Sequence, residues 1–300
     1  MKRMEQVDVS LADIKLLSNL NPIITISRIL LEYILIIGCI FIHKSYHFIW
    51  IYVIVWMIIS TRLYALYSIL HDAIHFSISR NKLWNDLIAQ LLLGLPLLVY
   101  IPDMRNTHME HHKHLQTKDD PEISLLSYKE FQFPLKKWIF FKISLLDICG
   151  FNFFYYKIKK MIYLILNFSF DKLRNNFDLL LLIGLTLLSY ITGYLNDYFL
   201  YFLFPFASIY QWLNRIRIST EHFNLDNKNK FRTRTVIPSF LERAIFTPYN
   251  LGYHTEHHLY PSVPFYNLPK LHNLLKKDGS FISQTQVYNS YSKVFKEFIK

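Results

Sequence analysis

Glycine is scarce in this chain, with seven in 300 residues. That leaves little material for the glycine loops that bring backbone close to a phosphate. No GxGxxG and no GKS or GKT occurs, so nucleotide-binding loops are excluded. Cysteine is scarcer still. Cys39 and Cys149 stand far apart and form neither a disulfide framework nor a CxxC metal site, so both read as packing residues. The opening stretch MKRMEQVDVSLADIKLLSNL is polar and lacks the apolar core and small-residue cleavage site of a signal peptide. No processing is expected.

What the chain has is apolar residues, 52% of the sequence, gathered into blocks too long for a soluble core helix. The runs are Ile23–Phe41, Phe48–Leu70, Leu179–Tyr194 and Phe199–Leu213. They predict membrane spans over about 23–43, 48–70, 179–195 and 198–213, the first two each able to cross ~30 Å of hydrocarbon as a helix. The linkers HKSYH and LNDY are short, so the spans pair into two antiparallel hairpins, with LNDY as a tight turn. The run Leu87–Ile101 holds Gly94 and Pro96 and predicts a re-entrant or interfacial helix. Lys136–Phe168 mixes Lys, Phe and Tyr, the pattern of one or two helices lying at headgroup depth. The expected fold is all-α and multi-pass: a polar segment 1–22, a membrane domain 23–275 and a tail 276–300.

Net charge is +11, and every Lys and Arg except Arg28, Lys44 and Arg62 lies in 1–22, 71–86, 102–178 or 214–300. By the positive-inside rule these regions face the cytoplasm, opposite anionic lipid. The basic charge therefore needs no nucleic-acid partner.

Nine of the thirteen histidines fall in four short clusters: His71 and His75; His108, His111 and His112; His222; and His254, His257 and His258. Each cluster lies just past an apolar block, on the predicted cytoplasmic side. On an α-helix, residues i, i+3 and i+4 share a face, so HxxxH presents two imidazoles together and HxxHH three. Neutral imidazole is the commonest protein metal ligand. One ion takes four to six ligands, so nine imidazoles point to two ions. Ligand type alone leaves Zn, Cu, Fe and Ni open.

The other histidines read as ordinary residues. His43 and His47 lie in an outer loop, His272 lies beyond the last cluster, and His114 points off the face that carries His112. A closed structural zinc site would use four ligands, often thiolates. A transporter would place histidines near the bilayer midplane, within its spans. A ferritin-like di-iron bundle needs Glu-x-x-His pairs, and no glutamate here has a histidine three residues on.

Four segments together resemble the membrane fatty acid desaturase superfamily, which includes acyl and sphingolipid desaturases, fatty acid hydroxylases, and carotenoid hydroxylases and ketolases. They are SILHDAIHFSISRNKLWND, RNTHMEHHKHLQTKDDPEI, RIRISTEHF and PYNLGYHTEHHLYPSVPFYNLPKLH, within a match over roughly residues 25–275. The run HHLYPSVPFYNLP is most similar to the acyl-desaturase branch. The resemblance implies two iron ions, O2 as co-substrate, a lipid acyl substrate, and a mushroom-like fold of four spans under a cytoplasmic cap. It also implies electrons from a small carrier. No His-Pro-Gly-Gly haem signature occurs, so the donor is expected to be a separate ferredoxin or cytochrome b5, suited to the basic surface. A hydroxylase or ketolase acting on a carotenoid or sphingoid lipid would show the same histidines. A metal transporter or sensor is the remote alternative.

Finer expectations follow. His222 should stand level with the first cluster, nine residues past Leu213, or ~13 Å along a helix. Asp72, Glu110, Glu221 and Glu256 each adjoin a histidine and could accept its free N–H. Animal-type acyl-CoA desaturases carry an asparagine four residues before the lone histidine. Ile218 occupies that position, and Asn250, four before His254, is the candidate substitute. Arg28, Glu32 and Arg62 lie inside apolar runs, where charge is costly unless paired. Glu32 is expected to approach Arg62 across the first hairpin.

Overall fold

The protein is described here from a computed structural model covering residues 9–170, 172, 176–225 and 229–300. After a short α1 (Leu11–Leu17), Pro22 opens α2 (Pro22–Tyr46), where a missing N–H costs nothing. His47, in the left-handed conformation at φ 52°, ends it, and α3 (Ile49–Ala73) returns antiparallel. Both helices have 25 residues and are long and apolar enough to cross a membrane. Their outward faces expose Ile23, Ile34, Ile37, Phe41 and Ile49, as a lipid-facing surface would.

The Leu87–Ile101 region is bent, as its Gly and Pro suggest. Here α4 (Lys82–Ala89) runs into a π-helical turn, Gln90–Gly94. The Gln90 side chain closes the bend, donating to the Val99 carbonyl (2.9 Å) and accepting from the Ile101 N–H (2.9 Å). A Cβ on Gly94 would meet the Val99 backbone carbonyl at 2.7 Å, so a side chain there would force the bend to shift. Next comes α5 (Ile101–His114). The Lys136–Phe168 stretch forms α6 (Lys137–Ile148) and α7 (Phe151–Leu166), bent by 72° at Gly150, φ 78°. As one broken segment the two also meet the length and hydropathy of a span.

The second hairpin departs from its expected boundaries. Its first limb, α8 (Phe177–Ile191), is apolar but only 15 residues long. LNDY is not the turn: Leu195–Tyr198 is helical and forms α9. The turn is Thr192–Tyr194, where Gly193 at φ 78° ends α8 in a Schellman motif: Tyr194 N–H donates to Ser189 O (2.8 Å) and Gly193 N–H to Tyr190 O (3.2 Å). The return limb is not one straight span. A π-turn at Phe199–Leu203, the short α10 (Phe204–Ala207) around Pro205, and Ser208 at φ −111°, ψ −108° precede α11 (Ile209–His222). Trp56 donates to the Ser208 hydroxyl (2.8 Å) and His43 bonds the Tyr201 hydroxyl (2.7 Å), locking the hairpins together. Lys44 pairs with Asp197 at the outer end.

The remainder contains β1 (Arg234–Val236), α12 (Phe240–Phe246), α13 (His254–Leu259), α14 (Leu268–Leu275), α15 (Gly279–Gln284), β2 (Gln286–Tyr288) and α16 (Tyr291–Phe298). β1 and β2 pair in parallel, Arg234 opposite Gln286, so the chain is nearly rather than wholly α. The main core joins α3 to the π-turns and α11, and smaller clusters lie within the C-terminal part.

Candidate metal centre

Four elements deliver the nine clustered histidines to one place. His71 lies in the last turn of α3, and His75 follows in the turn that closes it. His108, His111 and His112 line one face of α5, and His222 is the last residue of α11. His254, His257 and His258 belong to α13.

The rings divide into two groups. The ligand atoms of His75, His108, His112 and His257 lie within 4.8 Å of one another. The His71 ring packs against His108 (4.5 Å) and His257 (4.6 Å), completing five. In the second group His111, His222 and His258 come within the same 4.8 Å, as do Glu221, His222 and His254. His112 stacks on His258 at 4.1 Å, joining the groups. Nε2 atoms face each other: His112 and His108 at 2.8 Å, His254 and His222 at 2.8 Å, and His258 and His254 at 3.0 Å. The Nε2 atoms of His71, His75, His111 and His257 are buried without any hydrogen-bond partner. Leaving so many buried nitrogens unsatisfied is expensive. Cations between the lone pairs remove that cost, so the donor set fits two imidazole-bound metal ions.

Protonation favours the same use. Burial lowers His75 to about 4 and His112 to about 2, and neighbouring charges push the same way. Burial also holds His108, His222, His254, His257 and His258 well below the usual imidazole range. The rings are neutral at neutral pH, the state in which imidazole binds metal.

Of the four carboxylates the sequence singled out, Glu221 stands beside the clustered rings and the other three are engaged elsewhere. Glu110 is on the exposed side of α5, paired with Lys113 (3.6 Å) and His114 (3.3 Å) rather than with a clustered ring. Asp72 accepts from the Phe265 N–H (3.3 Å), and Glu256 takes Thr235 (2.7 Å) and His272. These two therefore pin the loop and helix around the fourth cluster instead of a clustered imidazole. Asn250 sits in a turn at φ 61° and donates to Phe265 O (3.0 Å). Of the four acids, Glu221 alone comes near a clustered nitrogen, 3.6 Å from His254 Nε2, while bonded by Arg217 at 2.7 Å. Burial pushes its carboxyl up to about 8 against the pull of Arg217. The sequence reading passed over Asp120 and Glu122, in the DDPE stretch after the second cluster. Asp120 bonds His111 Nδ1 at 2.9 Å, and Glu122 lies 3.8 Å from the same atom and 3.9 Å from His222 Nε2. Their one signal was position, a few residues beyond a histidine cluster.

A cavity of about 400 Å³, lined by Tyr67, Met104, Thr107, His108 and Glu122, lies beside this centre. A second, of about 500 Å³, shares Leu98 and Asp178 with it as lining residues.

Residues 29–287 match the sequence profile described as fatty acid desaturase. The chain belongs to the fatty acid desaturase family. It is accordingly an oxidoreductase. Two curated relatives agree. The dihydrorhizobitoxine desaturase of Bradyrhizobium elkanii is 28% identical over 272 residues, 82% of this chain and 77% of that protein. The sn-1 acyl-lipid omega-3 desaturase (ferredoxin) of Nostoc sp. (strain 36) is 27% identical over 266 residues, 81% of this chain and 72% of that protein. The matched residues include all four histidine clusters.

Proposed function

We propose that this desaturase introduces a double bond into a lipid acyl chain, using O2 and two iron ions held by His71, His75, His108, His111, His112, His222, His254, His257 and His258. The observation that carries the reading is the convergence of nine imidazoles beside a cavity, at one end of membrane-length apolar helices. Iron bound there supplies the redox chemistry that cleaves an unactivated C–H bond, which side-chain acids and bases cannot do. The protein's own part is positional. Asp120 accepts the His111 Nδ1–H and so turns Nε2 toward the second group. Leu98, Val99 and Met104 give the cavity apolar walls that align a chain and exclude water.

The same reading takes both hairpins as spanning, with the centre in a cytoplasmic cap, which the distribution of Lys and Arg supports. A separate ferredoxin or cytochrome b5 would supply electrons at the basic surface. The Nostoc relative's name specifies ferredoxin. A second reading, oxidation of a smaller polar substrate, draws on the Bradyrhizobium relative's name and on the Asp147–Arg215 and Asp178–Lys157 pairs lining the larger cavity. Hydroxylase or ketolase chemistry would use the same ligands, and a metal transporter would move metal without consuming oxygen. Product analysis of a host expressing the chain, with His257→Ala as control, tests all of these. New double bonds in lipid acyl chains are expected. Their absence, with an alcohol, a ketone or a desaturated polar metabolite instead, overturns the lipid reading.

A further inference from the structure

The nine imidazoles do not divide evenly between two ions. His71, His75, His108, His112 and His257 make one group of five, while His111, His222, His254 and His258 leave the other a donor short. The positions considered for a further donor do not supply it. Ile218 has no polar atom, and the Asn250 amide is committed to the Phe265 carbonyl in a left-handed turn. The oxygen that does lie among the second group belongs to Glu221.

Resting on the two-metal reading above, we propose that Glu221 is a tenth ligand, binding through a carboxylate oxygen the ion held by His111, His222, His254 and His258. Donors about 2.1 Å from one ion stand about 3.0 Å apart at right angles and about 4.2 Å apart when opposite. Glu221 Oε2 lies 3.6 Å from His254 Nε2, between those limits, and its ligand atom is within 4.8 Å of that of His222 as well. Charge argues the same way. Neutral imidazoles bring no negative charge to a buried divalent ion, and the Glu221 carboxyl, only 5% exposed, would supply one by giving up its proton to the ion. Arg217, one turn earlier on α11, holds it in place with a 2.7 Å bond and is itself held by the Tyr67 hydroxyl at 3.1 Å. The carboxylate keeps acceptor capacity beyond that bond. Glu122 is the rival, 3.9 Å from His222 Nε2, but it lines the cavity and its side chain is 26% exposed, so it can stay hydrated. A carboxylate on one ion alone makes the two sites chemically unequal, five nitrogens against four nitrogens and an oxygen.

The test is iron content and Mössbauer spectroscopy of the full chain, purified in detergent after growth on 57Fe. The wild type is expected to hold two irons with two distinct quadrupole doublets. Glu221→Gln should lose one doublet and fall toward one iron per chain, and Glu122→Gln should keep both. If Glu221→Gln keeps two irons with the wild-type spectrum, or if Glu122→Gln is the variant that loses one, the proposal is overturned. If Glu221→Gln does not remain monodisperse, Glu221→Asp carries the same test, since it keeps the charge but withdraws the oxygen by one methylene. A wild-type chain with fewer than two metal ions would defeat the two-metal reading itself, a result distinct from any variant's behaviour.

Discussion

His111 Nδ1 and Asp120 Oδ1 are joined by a 2.9 Å hydrogen bond, with both side chains fully enclosed. Asp120 is in turn fixed by the backbone N–H groups of Gln116 (2.8 Å) and Glu122 (2.9 Å). The arrangement sets the His111 tautomer and leaves its buried Nε2 free. Removing such a partner from a ligand costs about 10–100-fold in metal affinity. Asp120→Ala should weaken one of the two metals by that factor in a chelator competition. Asp120→Asn, which keeps an acceptor, should lose less. Equal affinity in all three proteins would show that the bond does not tune the site.

Glu32 and Arg62 meet across the first hairpin at 3.2 Å, the pairing expected from two charges in apolar runs. Glu32 also takes the Tyr249 hydroxyl, and Arg62 donates to Ala244 O (3.1 Å), so the pair ties α2 and α3 to α12 and to the turn that precedes the fourth histidine cluster. Breaking a buried pair strands a charge, at a cost of about 3–5 kcal/mol. Arg62→Met should therefore lower the thermal midpoint in detergent strongly, and adding Glu32→Gln should recover part of the loss. A double variant as unstable as the single variants combined would mean the two groups act independently.

Arg234 is 1% exposed although it lies in 214–300, one of the basic regions expected to face the cytoplasm. It donates to Thr220 O (2.7 Å) and Asn224 O (3.0 Å), meeting the carbonyls at the end of α11 that helix geometry leaves open. His222 is the last residue of that helix, so Arg234 holds the lone histidine from behind. Arg234→Met should lower metal occupancy and thermal stability together, and Arg234→Lys should rescue little, because one ammonium cannot reproduce the planar fork. Unchanged metal content in Arg234→Met would limit the residue to a packing role.

The contrast between Arg234 and the histidines shows what the sequence could carry. Histidine spacing is local, and α5 and α13 turn HxxHH into a shared face by helix geometry alone. The long runs that became α2 and α3 were equally legible. Which acid would stand behind which ring depends on tertiary placement. Asp72 and Glu256 adjoin ligands in sequence but bond Phe265 and His272, whereas Asp120, eight residues from His112, bonds His111. LNDY was taken for a turn on composition, but Gly193, two residues earlier, supplied the left-handed conformation the turn needed. β1 and β2 have three residues each, too few for an alternating pattern to show.

Acid should unfold the metal-free protein more readily than the loaded one. His75 and His112 are lowered to about 4 and about 2, whereas in an unfolded chain an imidazole titrates near 6.5. Above that value both states are neutral and no penalty exists. As pH falls below it, the unfolded chain takes up protons that the buried rings refuse, so stability drops, and it keeps dropping until the folded values are reached. Bound metal occupies the lone pairs, stabilises the folded state by mass action, and delays the loss until protons compete for the ligands. Thermal unfolding in detergent from pH 7.5 to 5.0, with and without prior chelation, measures both effects. The chelated protein should lose its midpoint steeply below about pH 6.5, and the loaded protein should hold to lower pH. Parallel curves would show that the imidazole cluster is neither the acid-sensitive element nor the seat of the metal.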